Sequence, residues 1–243
     1  MTLVTIHQIE TTHLKQVSSI IARGDKIALI GDNPDSCRAL LAVIAGAQHP
    51  TSGHVRSMQG VRLGYLGPLH ELPLHFGEAQ TLYDAVLCAF SRLRVLEARL
   101  LALEAQMTHD GASPEVRAYY LRALQRFQQA GGYDFDVRIA RVLDGLGFHP
   151  VQWQMPLSIL SPGELWRVRL AVLLLEQPDL LIIDEPTTML DSASAAWLAH
   201  TLRDYTGACL LTGNDQRWLT DVADTTWFLS DGRLTCPDEY HLL

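Results

Sequence analysis

Two short motifs in the second half of the chain most narrowly restrict the folds that it can adopt. Leu180–Asp184 is an apolar run that ends in two adjacent carboxylates, Asp184 and Glu185, the pattern of a buried strand with a polar end. Shortly before it, Ser161–Glu164 reads Ser-Pro-Gly-Glu and predicts a helix start, whose free N–H groups and positive dipole end suit a phosphate anion. Paired carboxylates suit a magnesium ion and a water beside such a phosphate. Together the motifs predict a domain that handles nucleotides.

The composition is that of a globular protein, with 48% hydrophobic and 19% charged residues among 243. The formal net charge of -8 disfavours a protein that covers nucleic acid with its whole surface, although it leaves room for a local basic patch. The four cysteines are scattered without a CxxC pair and no secretory leader is evident, so we expect free thiols in a reducing, cytoplasmic location. No apolar run is long enough to cross a bilayer.

Strands alternate with helices on both sides of a central helical segment. The predicted strands are Lys26–Gly31, Val61–Leu66, Ala208–Thr212 and Trp227–Leu229, and the predicted helices are Arg38–Ala45, Val137–Leu146 and Ser192–Arg203. Between residues 81 and 129 apolar side chains recur at helical spacing on both sides of a polar turn at Thr108–Pro114, which predicts an αα-hairpin. This order predicts an α/β fold with a mostly parallel sheet and a helical insertion.

The residues from Leu160 to Asp191 resemble those of the ATP-binding cassette (ABC) proteins. LSPGE is similar to the LSGGQ or LSGGE signature with Pro162 in place of a glycine, IIDEPT resembles the Walker B strand with its catalytic glutamate, and MLD resembles the D-loop. The likeness covers nearly the whole chain. The hairpin, the segment AGGYDFDVRIARVLDGLGF and the end VADTTWFLSDGRLTCPDEY are most similar to the ABC-F class. Its members have no membrane spans, usually carry two cassettes and act on the ribosome, and this chain resembles their first cassette.

The resemblance implies a P-loop NTPase-like fold with a mostly parallel sheet flanked by helices, a small antiparallel N-terminal β part and a helical subdomain that carries the hairpin. It implies one nucleotide-binding domain over residues 1–243. Residues 1–80 and 155–243 would form the catalytic core, and residues 81–154 the helical subdomain.

The resemblance also assigns a role to each motif by position. Asp184 would orient a magnesium ion through water, and Glu185 would polarise the attacking water as the general base of phosphoanhydride hydrolysis. Ser161 and Gly163 would face the γ-phosphate of a nucleotide held by an opposing cassette, and Asp191 would cross the dimer interface. ATP and Mg²⁺ are thus the implied cofactors, and a second cassette, in a homodimer or a heterodimer, is the implied partner. The whole signature set is Ser161, Pro162, Gly163 and Glu164.

The phosphate loop departs from the GxNGxGKST of the family. Pro34 and Ser36 replace glycines whose N–H groups wrap the phosphates, and Pro34 also removes a donor. Cys37 stands where a lysine would contact the β- and γ-phosphates, and Arg38 stands where a hydroxyl would bind magnesium. Arg38 either restores the lost charge or is a solvated residue at a helix start. We expect ATP binding to be weak. By position the nucleotide-binding residues are Gly31, Asn33, Ser36, Cys37, Arg38, Ala39 and Asn214.

Two further nucleotide contacts are altered. The Q-loop glutamine falls at Pro68, and the switch histidine falls at Asn214, an amide that can donate to a phosphate oxygen but carries no charge.

Six arginines lie on the predicted hairpin. In ABC-F proteins such an arm approaches RNA, so the resemblance implies a ribosomal or RNA contact here. Acidic residues on the same helices make a salt-bridged, solvated face an equal alternative. The arginines are Arg92, Arg94, Arg99, Arg117, Arg122 and Arg126, and the acidic residues are Glu97, Glu104 and Glu115.

Three functions fit these residues. An ABC-F-like cassette would couple ATP binding and hydrolysis to a conformational change, with impaired intrinsic ATPase activity. A non-hydrolysing, degenerate cassette would pair with an intact one and supply its signature motif in trans. The third is an ATPase subunit of a transporter, which the hairpin and the TTMLD sequence disfavour.

Overall fold

The computed structural model describes residues 1–68, 76–109, 113–129, 131–132 and 134–236. The strands are β1 (Thr2–Glu10), β2 (Val17–Ala22), β3 (Lys26–Gly31), β4 (Ser52–Ser57), β5 (Leu63–Leu66), β6 (Leu180–Asp184), β7 (Ala208–Thr212), β8 (Thr225–Ser230) and β9 (Arg233–Thr235). The α-helices are α1 (Pro34–Ile44), α2 (Leu82–Leu87), α3 (Ser91–His109), α4 (Pro114–Gln129), α5 (Phe135–Gly145), α6 (Pro162–Glu176), α7 (Ser192–Arg203) and α8 (Gln216–Val222). Short 3-10 turns lie at Cys88–Phe90, Pro150–Gln152 and Leu157–Ile159.

Two sheets make up the β part of the fold. The smaller is antiparallel with the order β2-β1-β4, and the larger has the order β5-β6-β7-β3-β8-β9. Neighbours in the larger sheet are parallel except β8 and β9. Strands β6 and β7 are buried along their whole length, because helices or other elements cover both faces of the sheet. The predicted fold, with its small antiparallel N-terminal part, is confirmed.

The larger sheet separates two apolar cores. Along β6, Leu181 and Ile183 face one core while Leu180 and Ile182 face the other, the alternation expected of a strand. The first core also contains α2 and α5 to α8, and the second contains α1 and the antiparallel sheet. The carboxyl ends of β3, β6 and β7 therefore meet at one edge of the sheet, between the two layers.

Helices α3 and α4 form the predicted hairpin and pack around a small core of their own. Leu100, Ala123 and Phe127 are buried there, and Tyr120 donates a hydrogen bond to Glu104 Oε1 at 2.8 Å. The predicted polar turn between the helices falls partly on residues 110–112, which lie outside the described residues, as do the side chains at positions 108 and 109. The start of the segment differs from the prediction, because α2 and a 3-10 turn precede α3.

The start of α1 is the difference that matters most for function. The sequence predicts a helix from Arg38, whereas α1 begins at Pro34. Asn33 caps it, since its side chain accepts from the Asp35 N–H, and Pro34 occupies the first helical position, where a missing N–H is harmless. The helix therefore extends into the segment that the family resemblance assigns to the phosphate loop.

Candidate functional site

The loop between β3 and α1 contains only Asp32 and Asn33. The backbone donors that follow it are already used within the turn. The N–H of Asp35 donates to Asn33 Oδ1 at 2.9 Å, and the N–H groups of the next two residues donate to the Asn33 carbonyl at 3.1 and 3.3 Å. Pro34 has no N–H to offer. This arrangement is a capped helix start and leaves no open cradle of N–H groups for a phosphate.

Asp32 adds a negative charge at the mouth of the loop. Its Oδ2 accepts from the backbone N–H of Asp231 at 3.1 Å and from the Ser230 hydroxyl at 2.9 Å. These bonds, the backbone one first, hold the pKa of Asp32 below its usual range. These bonds hold the loop against the β8–β9 turn. The negative charge of the Asp32 carboxylate disfavours the binding of a polyanion there.

Cys37 lies where the family places a lysine, and its side chain points into the protein. It is buried, and its Sγ packs so closely on Gly31 that a Cβ at that glycine would collide with it. Burial raises the pKa of the Cys37 thiol to about 11, so the group is neutral at physiological pH. No cation reaches the phosphate position from residue 37.

Arg38 is paired with Asp184, the carboxylate at the end of β6. Arg38 Nε donates to Asp184 Oδ2 at 3.1 Å, and its Nη1 lies 3.4 Å from Asp35 Oδ1. Asp184 is 3% exposed and Arg38 24% exposed at the side chain. Arg38 is therefore not the solvated residue of one sequence interpretation, because the early start of α1 directs it onto β6.

A magnesium ion does not fit beside Asp184 in this arrangement. Arg38 already donates an N–H to Asp184 Oδ2, and a guanidinium has no lone pair to offer a metal. The Thr212 hydroxyl, nearby at the end of β7, donates to the Leu29 carbonyl at 2.9 Å. Across the described ranges, no group of three or more His, Cys, Asp or Glu side chains could hold a metal ion.

Glu185 follows directly and has an unusual backbone. Its φ is 52°, in the left-handed region that a non-glycine residue rarely adopts. Its N–H donates to the Thr212 carbonyl at 2.8 Å, and its Oε2 accepts from the Thr188 hydroxyl at 3.1 Å. The carboxylate is thus held at the edge of the sheet where the predicted general base should lie. Thr188 was not predicted, although its position three residues after Glu185 in a turn could have indicated it.

The cavity between these residues is small, about 100 Å³. Typical ligand sites measure roughly 300 Å³ or more. Asn214, at the predicted switch position, is exposed and lines the cavity, whereas Pro68, at the predicted Q-loop position, is buried and does not. The cavity lining also includes Gly31, Pro34, Cys37, Arg38, Asp184 and Glu185. Six predicted site residues thus line this small cavity, whereas the others, including the signature residues, Asp191 and Pro68, do not.

The predicted signature lies at the start of α6 and is ordered by a capping box. The Ser161 hydroxyl donates to Glu164 Oε2 at 2.7 Å and accepts from the Glu164 N–H at 3.3 Å. The bond from the Ser161 hydroxyl, and next the bond from the Ser161 N–H to the same oxygen at 2.8 Å, hold the pKa of Glu164 below its usual range. Ser161 and Pro162 are exposed, and the Gly163 N–H has no hydrogen-bond partner within the described part of the chain. An added Cβ on Gly163 would meet only Met189 Sδ, at 3.5 Å. Within the described residues, the signature therefore contains one backbone N–H that no other group accepts.

Asp191 begins α7 in the same manner. Its Oδ1 accepts from the Ser194 N–H at 2.8 Å, and that bond lowers the pKa of Asp191. The side chain is exposed beside the signature region, so it can cap its helix and still face a neighbouring molecule.

The hairpin carries an exposed basic cleft. Arg99, Arg122 and Arg126 line a cavity of about 120 Å³ together with Tyr119, which is 54% exposed. None of the hairpin arginines forms an ion pair among the described residues, and the side chain at position 92 lies outside them. Both the RNA contact and the solvated face therefore stay predictions for this surface.

Known proteins resemble this chain in sequence and in fold. The family model described as ABC transporter matches residues 14–188. The chain is 35% identical over 223 residues to the tylosin resistance ATP-binding protein TlrC of Streptomyces fradiae, covering 90% of the chain and 40% of TlrC. It is 34% identical over 217 residues to the energy-dependent translational throttle protein EttA of Haemophilus influenzae, covering 89% and 38%. The chain thus spans about two fifths of the length of these relatives.

Solved structures share the fold at lower sequence identity. An ATP-binding subunit of an ABC transporter is 19% identical, with a TM-score of 0.66, and the match covers 98% of this chain and 91% of that one. The dimeric cassette MJ0796, bound to ADP and Pi, is 18% identical with a TM-score of 0.62 and 96% coverage of both chains. Among the helices within the described ranges, none combines the length and apolar character needed to cross a membrane.

Proposed function

Because the chain belongs to the ABC transporter family of ATP-binding domains and is most like its ABC-F members, we propose that it acts as one half of a two-cassette ATPase. It couples ATP binding and hydrolysis at the shared interface to a conformational change. Its own ATPase activity is impaired, and it supplies its signature motif to a nucleotide held mainly by the opposing cassette. Residues 1–80 and 155–243 form the core of this single domain, and residues 81–154 form the helical subdomain.

One contrast supports this proposal: the phosphate loop is closed while the signature is open. At the loop, the donors after Asn33 are used within the turn and Cys37 is buried and neutral. At the signature, the Gly163 N–H has no acceptor among the described residues and lies at the positive end of a fifteen-residue helix. The same chain is therefore poorly equipped to hold a phosphate of its own and well equipped to contact one held by a neighbour.

The proposed roles follow from these positions. Ser161 and Gly163 contact the γ-phosphate of the nucleotide in the opposing cassette, and Asp191 lies at the interface between the two. Glu185 keeps the position of a general base, but its hydrolytic contribution is small because a nucleotide is poorly held beside it. The second cassette is either another copy of this chain or a different protein.

We further propose that the pair works on the ribosome. Two relatives are named for tylosin resistance and for throttling of translation, and the ABC-F class acts there. The basic cleft on the hairpin, with Arg99, Arg122 and Arg126, suits the phosphate backbone of RNA even though the net charge of the chain is -8.

The ATPase activity of the purified chain tests the first half of the proposal. We expect turnover of Mg-ATP to be no higher than that of the matched variant Glu185→Gln, which removes the general base but keeps the size of the side chain. Steady turnover that Glu185→Gln abolishes would contradict the impaired site.

Pairing is tested by isolating the chain from its native cell in the presence of ATP. We expect an intact cassette, or a second copy, to be recovered with the wild-type chain and lost with Gly163→Glu, which places a charge at the phosphate contact. Gly163→Ala is the matched control for folding, because its Cβ would make only an ordinary contact with Met189. Recovery of a membrane protein in place of a cassette would favour the transporter subunit.

A further inference from the structure

The Arg38–Asp184 pair lies where the family resemblance places a magnesium ion. Asp184 is 3% exposed at the end of β6, and an isolated carboxylate buried to that degree is strongly disfavoured. The charge is balanced from within the chain, since Arg38 Nε donates to Asp184 Oδ2 at 3.1 Å. The site therefore already contains the positive charge that a bound metal would otherwise bring.

We propose that Arg38 replaces the magnesium ion at this site, so that Asp184 binds no divalent cation and the weak binding of a nucleoside polyphosphate by this chain does not depend on the metal. The choice of a nucleotide as the ligand rests on the proposed function. The core of the proposal, that Asp184 binds no divalent cation, stands on the geometry alone.

Three observations in the pocket carry the proposal. A guanidinium bound to the carboxylate repels a divalent cation and cannot act as its ligand. The position of the family's Q-loop glutamine offers no metal ligand either, because Pro68 has no side-chain oxygen. Arg38 also lines the small cavity beside Glu185, so its charge faces the position where a phosphate would approach.

The early start of α1 explains how the arginine reaches Asp184. Asn33 and Pro34 start the helix before the position of the family's lysine, which turns residue 38 toward β6. Asp35, one turn earlier, lies 3.4 Å from Arg38 Nη1 and further disfavours any other orientation. The helix start that closes the phosphate loop thus also places the Arg38 guanidinium beside Asp184.

Binding of Mn²⁺, followed by the electron paramagnetic resonance signal of the free ion, tests the core of the proposal without nucleotide. We expect the wild-type chain to have no site that Asp184→Asn removes. Arg38→Ser, which restores the hydroxyl of the family, should create one Mn²⁺ site, and adding Asp184→Asn should abolish it. Arg38→Lys is the matched control, because it keeps the charge and should remain without the site.

The stability of the variants gives a second readout. Without metal, Arg38→Ser removes the guanidinium that donates to the buried Asp184 carboxylate and should lower the Tm by several degrees, and Mg²⁺ should restore it. The Tm of the wild-type chain should not respond to Mg²⁺. A Mn²⁺ site on the wild-type chain that Asp184→Asn removes would overturn the proposal even if Arg38→Ser fails to fold.

The nucleotide arm compares the affinity for ADP in Mg²⁺ and in EDTA. The two values should agree within about twofold for the wild-type chain, whereas Arg38→Ser should prefer the metal complex by about tenfold, a difference of about 1.4 kcal/mol. A tenfold preference for Mg-ADP by the wild-type chain would overturn the proposal. Failure of the proposed function would appear instead as steady ATP hydrolysis, so the two failures are distinguishable.

Discussion

Restoring the family sequence in the phosphate loop should restore ATP binding. The rebuilt variant combines Pro34→Gly, Ser36→Gly, Cys37→Lys and Arg38→Ser. The two glycines weaken the first turn of α1, each by up to about 1 kcal/mol, so that the turn can open into a loop. The lysine replaces a neutral thiol that is now buried against Gly31.

The expected gain follows from the contacts that the present loop lacks. A regained backbone N–H and the lysine each add a charge-assisted hydrogen bond to phosphate, about 1.5–3 kcal/mol apiece. Subtracting about 1–2 kcal/mol for opening the turn leaves about 2–4 kcal/mol, or roughly 30- to 700-fold tighter binding. Without ligand, the rebuilt variant should be less stable than the wild type, because Asp184 loses its Arg38 partner.

Titration calorimetry with Mg-ATP measures this gain. The matched control carries Pro34→Gly and Ser36→Gly but keeps Cys37 and Arg38, so it opens the turn without supplying the lysine. It should gain much less than the full variant. If the rebuilt chain melts cooperatively yet binds ATP within about threefold of the wild type, the reasoning is refuted and the defect lies elsewhere, such as at Pro68.

Four other predictions concern the supporting structure. Gly145→Ala should destabilise the fold by about 2 kcal/mol in urea denaturation, because a Cβ on α5 would enter the Trp197 ring of α7; wild-type stability would contradict that packing. Ser161→Ala should cost about 1 kcal/mol through the lost helix cap. The pKa of Glu164 is lower in the folded chain than in the unfolded chain, so its ionised carboxylate adds to the free energy of unfolding. This stabilisation is complete above the unfolded pKa of about 4.3 and is lost as the pH falls through the pKa of the folded chain. Glu164→Gln should therefore make the free energy of unfolding less dependent on pH in the acid range. At pH 8 a thiol-reactive disulfide should label the exposed Cys88 of the native chain promptly, and Cys88→Ser should abolish that reaction. The thiols of Cys37, Cys209 and Cys236 are buried, and burial raises their pKa.

The sequence predicts those parts of the fold that depend on local pattern. The apolar run before Asp184 and the helical spacing around the hairpin are visible in single segments, and the structure confirms both. The partner of Arg38 could not be predicted, because the two residues are separated by 146 positions and meet only once β6 and α1 are packed together. The start of α1 was within reach of the sequence, since Asn33 followed by Pro34 is a common helix start, but the family's glycine loop suggested otherwise.

The altered residues of the phosphate loop form one interdependent arrangement. Pro34 starts the helix early, the helix directs Arg38 onto Asp184, and the same register places Cys37 against the glycine that ends β3. Each substitution therefore stabilises the closed loop, and reversing one of them leaves the others in conflict with it. This also accounts for the survival of both carboxylates beside a closed loop. Asp184 neutralises Arg38, while the Glu185 carboxylate accepts from the Thr188 hydroxyl in its own turn, so both carboxylates have structural roles. The carboxylate pair identifies the family, whereas the geometry of residues 31–38 is the basis for the proposed weak ATP binding.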